Sequence, residues 1–124
     1  MNAAAESPSA AFHTGGRLLV RTRRKVELLD PAAIDWIDAA GNYVLLHVGR
    51  DTYRLRAALG AIERTLDPNV FLRIHRSTIV NVTRLATVEL DRASDYTLVL
   101  HGGQRLAVGR SYRSHLQPLL QGVL

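Results

Sequence analysis

Apolar and polar positions alternate with a period of two over most of this chain, the pattern of half-buried strands. Leu18 and Val20 alternate with polar neighbours inside RLLVRTRRK, residues 17–25. That segment reads as an edge strand with basic outer positions, or as a basic arm. Val26 to Leu29 is a second short strand, closed by Asp30-Pro31. Ile34 to Ile37 reads as a strand and Ala39-Ala40-Gly41-Asn42 as a turn. Tyr43 to Val48, the tight turn Gly49-Arg50-Asp51 and Thr52 to Leu55 make a hairpin.

The period then changes. Leu55, Ala58, Leu59, Ile62 and Leu66 fall on one face of a helix that Asp67-Pro68 stops. That face is assigned to the core. Strand patterns return at Phe71 to Ile74, Thr78 to Val82, Thr87 to Asp91, Tyr96 to His101 and Arg105 to Val108. Phe71, Ile74, Ile79, Val80 and Val82 are further core candidates. Asn81 is unusual inside an apolar strand and reads as a structural residue that satisfies local backbone groups. Ser111 is placed to cap a last helix running to about Gln117, where Pro118 interferes. Residues 1–16, small and polar, read as a flexible leader ahead of one domain over 17–124.

Composition narrows the function. The chain has 124 residues, 47% hydrophobic and 22% charged, enough for one ordinary domain. It has no cysteine, which excludes disulfides, thiolate metal sites and cysteine nucleophiles. No apolar run approaches the ~20 residues of a membrane span, and Met1 to Glu6 lack a signal-peptide pattern. A cytoplasmic protein without a membrane partner is expected. His13, His47, His75, His101 and His115 show no metal-ligand spacing, and no nucleophile or phosphate-loop motif is present, so neither enzyme nor cofactor is expected.

Sixteen basic residues stand against eleven acidic ones, a net charge of +5, and Lys25 is the only lysine. A genome rich in Arg codons explains the arginine preference equally well, so distribution carries more than number. No acid occurs from Pro68 to Thr87 or from Tyr96 to Leu124, where Arg73, Arg76, Arg84, Arg105, Arg110 and Arg113 stand unpaired in sequence. Such segregation can build a face for a polyanion. In the triplet His75-Arg76-Ser77, Arg76 could read a guanine and Ser77 hold a phosphate, or the triplet is a plain corner with a solvated arginine. Likewise Arg110 and Arg113 stand at a helix start that either attracts an anion or is simply capped. Trp36, Tyr43, Tyr53, Tyr96 and Tyr112 are too scattered for the stacking platform of a single-strand or RNA binder.

Three segments in order carry a resemblance. They are Asp35-Trp36-Ile37-Asp38-Ala39-Ala40-Gly41-Asn42-Tyr43, then Phe71-Leu72-Arg73-Ile74-His75-Arg76-Ser77-Thr78-Ile79-Val80-Asn81, then Val108-Gly109-Arg110-Ser111-Tyr112. Together they resemble the LytTR DNA-binding domain, the output module of many bacterial response regulators. The resemblance implies a mainly β fold of about ten short strands in three small antiparallel sheets, with one central and one short C-terminal helix. It implies a sequence-specific regulator of transcription that inserts loops into successive major grooves of double-stranded DNA. Asn42, Arg76 and Arg110 would contact bases; Tyr43, His75, Ser77, Ser111, Tyr112 and Arg113 would contact the backbone. The target would hold tandem imperfect repeats, occupied by a self-associated pair. Gly109 departs from the family's usual serine, and no receiver domain precedes the module, so a free-standing member or an excised output domain is expected. The alternative is a protein- or ligand-binding regulatory module on the same fold.

Overall fold

The computed structural model describes residues 9–12, 17–21 and 24–121. Among them are eleven strands in three antiparallel sheets, the mainly β architecture that the resemblance implies.

The first sheet orders β1 (Ser9–Phe12), β2 (Leu18–Arg21) and β3 (Val26–Leu29) side by side. β2 is therefore central rather than an edge, with Ser9 opposite Arg21 and Phe12 opposite Leu18. Residues 9–12, expected within the leader, are a strand; residues 1–8 and 13–16 of that stretch lie outside the described residues. Leu18 and Val20 are fully buried, which gives β2 its place in the core.

The central sheet has the order β6-β5-β4-β8-β7. Its strands are β4 (Trp36–Ala40), β5 (Tyr43–Val48), β6 (Asp51–Arg56), β7 (Phe71–His75) and β8 (Thr78–Asn81). β4 runs on to Ala40, so the first turn is only Gly41-Asn42, with Gly41 at φ +63°. A two-residue hairpin loop wants a positive φ of this kind because its twist then matches that of the strands. The same device recurs at Gly49, φ +59°, between β5 and β6.

The expected helix over Leu55 to Leu66 is shorter: α1 spans Leu59–Glu63. Leu55 lies on β6, whose pairing to β5 continues through Arg56 opposite Tyr43. Ladder hydrogen bonds therefore hold the segment extended where the spacing alone suggested helix. The apolar face is still core, with Leu55, Leu59, Ile62 and Leu66 buried, whereas Ala58 is an exposed N-cap.

The third sheet orders β11 (Arg105–Ala107), β10 (Tyr96–Leu100) and β9 (Leu85–Leu90). A 310 segment, Arg110–Leu116, then runs into α2 (Gln117–Leu120). Ser111 is not its cap; Gly109 is, without a side-chain bond. Pro118 does not end this helix but sits in the first turn of α2, where its missing N–H costs nothing.

Two apolar clusters lie on opposite faces of the central sheet. Ile37, Ile79 and Phe71 pack with Val44, Leu46, Leu55, Ile62 and the first sheet. Trp36, Val80, Leu72 and Ile74 face the other way, onto Leu98, Leu100, Leu106, Val108 and Leu116. β4, β8 and β7 are thus covered on both sides, as a continuous apolar run requires. Of the candidate core residues, Phe71, Ile74, Ile79 and Val80 are buried and Val82 is half-buried. Asn81 is fully buried. Its amide donates to the carbonyls of Ala32 at 3.1 Å and Ile34 at 2.8 Å, and its oxygen accepts from Thr83 N at 3.0 Å. Among the described residues no helix is long and apolar enough to cross a membrane.

Candidate functional site

The antiparallel pairing of β4 with β5 and β8 brings two chain reversals to one end of the central sheet. Ala40 pairs with Tyr43 across the Gly41-Asn42 turn, and Asp38 pairs with Thr78 at the start of β8. The N–H of Ala39 donates to the Ser77 carbonyl at 2.8 Å, which sets the Arg76-Ser77 turn beside the first. On the far side of β7, Gly109 N donates to Ile74 O at 2.8 Å, so Arg110 leaves the third sheet next to that turn. Asn42, Arg76 and Arg110, separate in sequence, therefore form a row, and all three are exposed.

The Arg76-Ser77 turn has no glycine and neither residue has a positive φ, unlike its neighbours. A two-residue loop of this kind splays the strands that it joins. The sequence supplies three compensations. The register shifts between Arg73 and His75, a bulge at Ile74 that restores local twist. The Arg73 guanidinium reaches around the turn: Nε donates to His75 O at 2.8 Å, Nη2 to Arg76 O, and Nη1 to Glu63 Oε1 at 2.8 Å. Ser77 N donates to His75 Nδ1 at 3.1 Å, so that nitrogen is the unprotonated one and Nε2–H remains a donor. Arg73 was legible only as one more positive charge. Its side chain is 16% exposed, and it is the brace that holds Arg76 outward. The Arg76 guanidinium itself bonds to no described residue.

Arg110 is different. It donates through Nε to Asp95 Oδ1 at 2.9 Å and through Nη2 to Asp95 Oδ2 at 3.2 Å. Arg113 approaches the same carboxylate at 3.6 Å. The hydrogen bond from Arg110 holds the Asp95 carboxyl below the usual carboxylate range. Arg73, Arg84 and Arg105 also meet carboxylates, those of Glu63, Asp35 and Glu89. Acid-free stretches of sequence are thus not acid-free surfaces, because hairpins bring carboxylates alongside from elsewhere. Asp95, 15 residues from Arg110, gave no local signal.

The remaining candidates flank the row. Ser77 Oγ lies 2.9 Å from His75 Nδ1 and 3.4 Å from Thr78 Oγ1. Ser111 is exposed. Tyr112 is half-buried, edge-on to His115 at 5.3 Å, with Arg73 5.9 Å from its ring centre. Tyr43 carries the Arg54 guanidinium at 4.4 Å and Arg56 at 5.9 Å, a basic cluster that the sequence reading missed. At Gly109 a Cβ would come within 3.3 Å of both His75 and Tyr112. Glycine there lets the two rings close over the junction. Among the described residues, no group of three His, Asp or Glu side chains could hold a metal.

The family model for the LytTr DNA-binding domain matches residues 24–121. The sensory transduction protein LytT of Bacillus anthracis is 26% identical over 105 residues, 85% of this chain and 43% of that protein. The transcriptional regulatory protein LytR of Staphylococcus aureus (strain N315) is 28% identical over 111 residues, 90% of this chain and 45% of its own. The CO-responsive transcriptional regulator RcoM of Rhodospirillum rubrum is 33% identical over 96 residues, 76% and 40% respectively. The chain spans less than half the length of these relatives. Among solved structures, the LytTr DNA-binding domain of a Bacillus cereus response regulator aligns with TM-score 0.75 and 25% identity, over 85% of this chain and 96% of that one.

Proposed function

Because this chain belongs to the LytTr DNA-binding domain family, a family of binding domains and not of enzymes, we propose that it is a sequence-specific double-stranded DNA-binding regulator of transcription. The row of exposed turns is the observation that carries the reading. Successive strands stand about 4.8 Å apart, so a row across the sheet end presents side chains over a width suited to a duplex rather than to a pocket. Arg76 and Arg110 read guanine edges, and Asn42 reads from the first turn. Tyr43, His75, Ser77, Ser111, Tyr112 and Arg113 set the register on phosphates. The turns enter successive major grooves of a site built from tandem imperfect repeats, which a pair of copies occupies. His75 is suited to its part because its Nε2–H is left as a donor when Nδ1 accepts from Ser77.

The test is selection from a random pool of duplex DNA with the purified protein, followed by sequencing of what is retained. The expected result is enrichment of two short repeats about one helical turn apart. Retention without enrichment would reduce the protein to a phosphate-gripping basic domain. No retention at low salt would overturn the DNA reading in favour of a module that binds protein or a small ligand.

A further inference from the structure

Arg110 and Asp95 make a side-on pair. The carboxylate takes the edge of the guanidinium formed by Nε and Nη2, at 2.9 and 3.2 Å. The opposite, end-on fork of Nη1 and the second Nη2 proton has no partner among the described residues. With the side-on edge taken by Asp95, that fork is the one left to meet the O6 and N7 acceptors of guanine. The carboxylate is itself fixed. Asp95 N and Ala93 N both donate to Asp91 Oδ1 at 2.9 Å, and Asp91 N donates to Asp95 O at 3.0 Å. Ser94 completes the loop at φ +65°. A strained loop tip, organised by one carboxylate, thus holds a second carboxylate against an arginine that is 70% exposed.

An ion pair so exposed contributes little to folding. It also places a negative charge beside a surface read as one for phosphates, which weakens attraction to any duplex. What the pair does supply is orientation: an arginine already held loses less rotamer freedom when it meets a base. Resting on the DNA reading above, we propose that Asp95 is a positioning residue for base recognition, a buttress that fixes the end-on fork of Arg110 toward guanine and gives up general affinity for sequence preference. The hydrogen bond from Arg110, with the charge of Arg113 beside it, holds the Asp95 carboxyl below the usual carboxylate range, so the pair persists at neutral pH.

The experiment compares the duplex selected from the random pool with a scrambled duplex of equal composition, for the unmodified protein, Asp95→Asn, Asp95→Glu, Arg110→Ala and the double variant. Asp95→Asn is expected to lower the selected-to-scrambled affinity ratio about tenfold, within the range of one bidentate contact. It should bind the scrambled duplex as tightly or more tightly, because a negative charge beside the phosphate-facing surface is removed. The lost preference should fall at the base pair that Arg110→Ala flattens, and the double variant should lose no more than Arg110→Ala. Asp95→Glu, which keeps the charge, should restore part of the ratio. If Asp95→Asn strengthens both duplexes equally and leaves the ratio unchanged, Asp95 is only a competing anion and the proposal is wrong. Thermal melting of each variant separates these results from misfolding, and an unfolded Asp95→Asn with a folded, fully selective Asp95→Gly would also overturn it. Failure of Arg110→Ala to flatten any position would instead sink the base-reading role of Arg110, which is read independently of Asp95.

Discussion

At the scale of single residues, two groups show how chemistry decides what pattern cannot. Asn81, itself fully buried, joins three backbone groups and the Thr83 hydroxyl. Asn81→Ala orphans the buried Ile34 carbonyl, at about 1–3 kcal/mol, whereas Ala32 O keeps its bond from Arg84 and Thr83 is exposed. A loss of about 1–3 kcal/mol in urea unfolding is the expected outcome. Its oddness inside an apolar strand was legible in the sequence; its reach to Ala32 and Ile34 was not. Tyr53 makes a second case. Burial pushes its phenol up to about 12, and its hydrogen bond to Glu27 at 3.0 Å adds to this. A group whose folded pKa is raised stabilises the fold fully below its unfolded value, near 10, and loses that contribution as pH climbs toward 12. Ultraviolet titration should find one of the four tyrosines ionising late, and Tyr53→Phe should flatten the fall in melting temperature across that alkaline window.

Among the elements, the β7–β8 hairpin joins structure to the candidate site. Arg73 braces two carbonyls of the turn and pairs with Glu63 at the end of α1. Arg73→Ala removes charged hydrogen bonds worth about 1.5–3 kcal/mol each in favourable cases. We expect a loss of about 1–3 kcal/mol in stability, together with weaker binding to the selected duplex, because Arg76 is no longer held. Hydrogen exchange at Ser77 and Thr78 faster than in the unmodified protein would confirm the loosened turn, and unchanged exchange would count against the bracing role. Strand positions such as Tyr43 to Val48 were legible because alternation and ladder bonding agree there. The helix face from Leu55 was misread because a buried strand end and a buried helix share the same apolar residues, and only pairing with β5 tells them apart.

For the whole molecule, the row at the sheet end requires all of β4, β5, β8 and β7 to be assembled, so the row and the global fold stand or fall together. The segments that make the row were legible as motifs, but their adjacency was not, since it depends on strand order. Charge behaved in the same way. Net charge is a property of the sequence, whereas Arg110, Arg113, Arg105, Arg84 and Arg73 all acquire carboxylate neighbours on folding. Arg76 therefore differs from Arg113 in kind. Arg76→Ala should weaken the selected duplex by about 1–3 kcal/mol and flatten one position. Arg113→Ala should weaken all duplexes alike and lower the salt slope by about one unit. Equilibrium titrations of both variants at several salt concentrations distinguish the two patterns.

The turn at Arg76-Ser77 is held from behind, by Arg73, by the bulge at Ile74 and by His75. Nothing in its geometry depends on the side chain of residue 76, which bonds to no described residue. On the proposed reading, a substitution there would change what the protein addresses without disturbing how it is built. The hairpin is in that sense a fixed socket with an exchangeable tip.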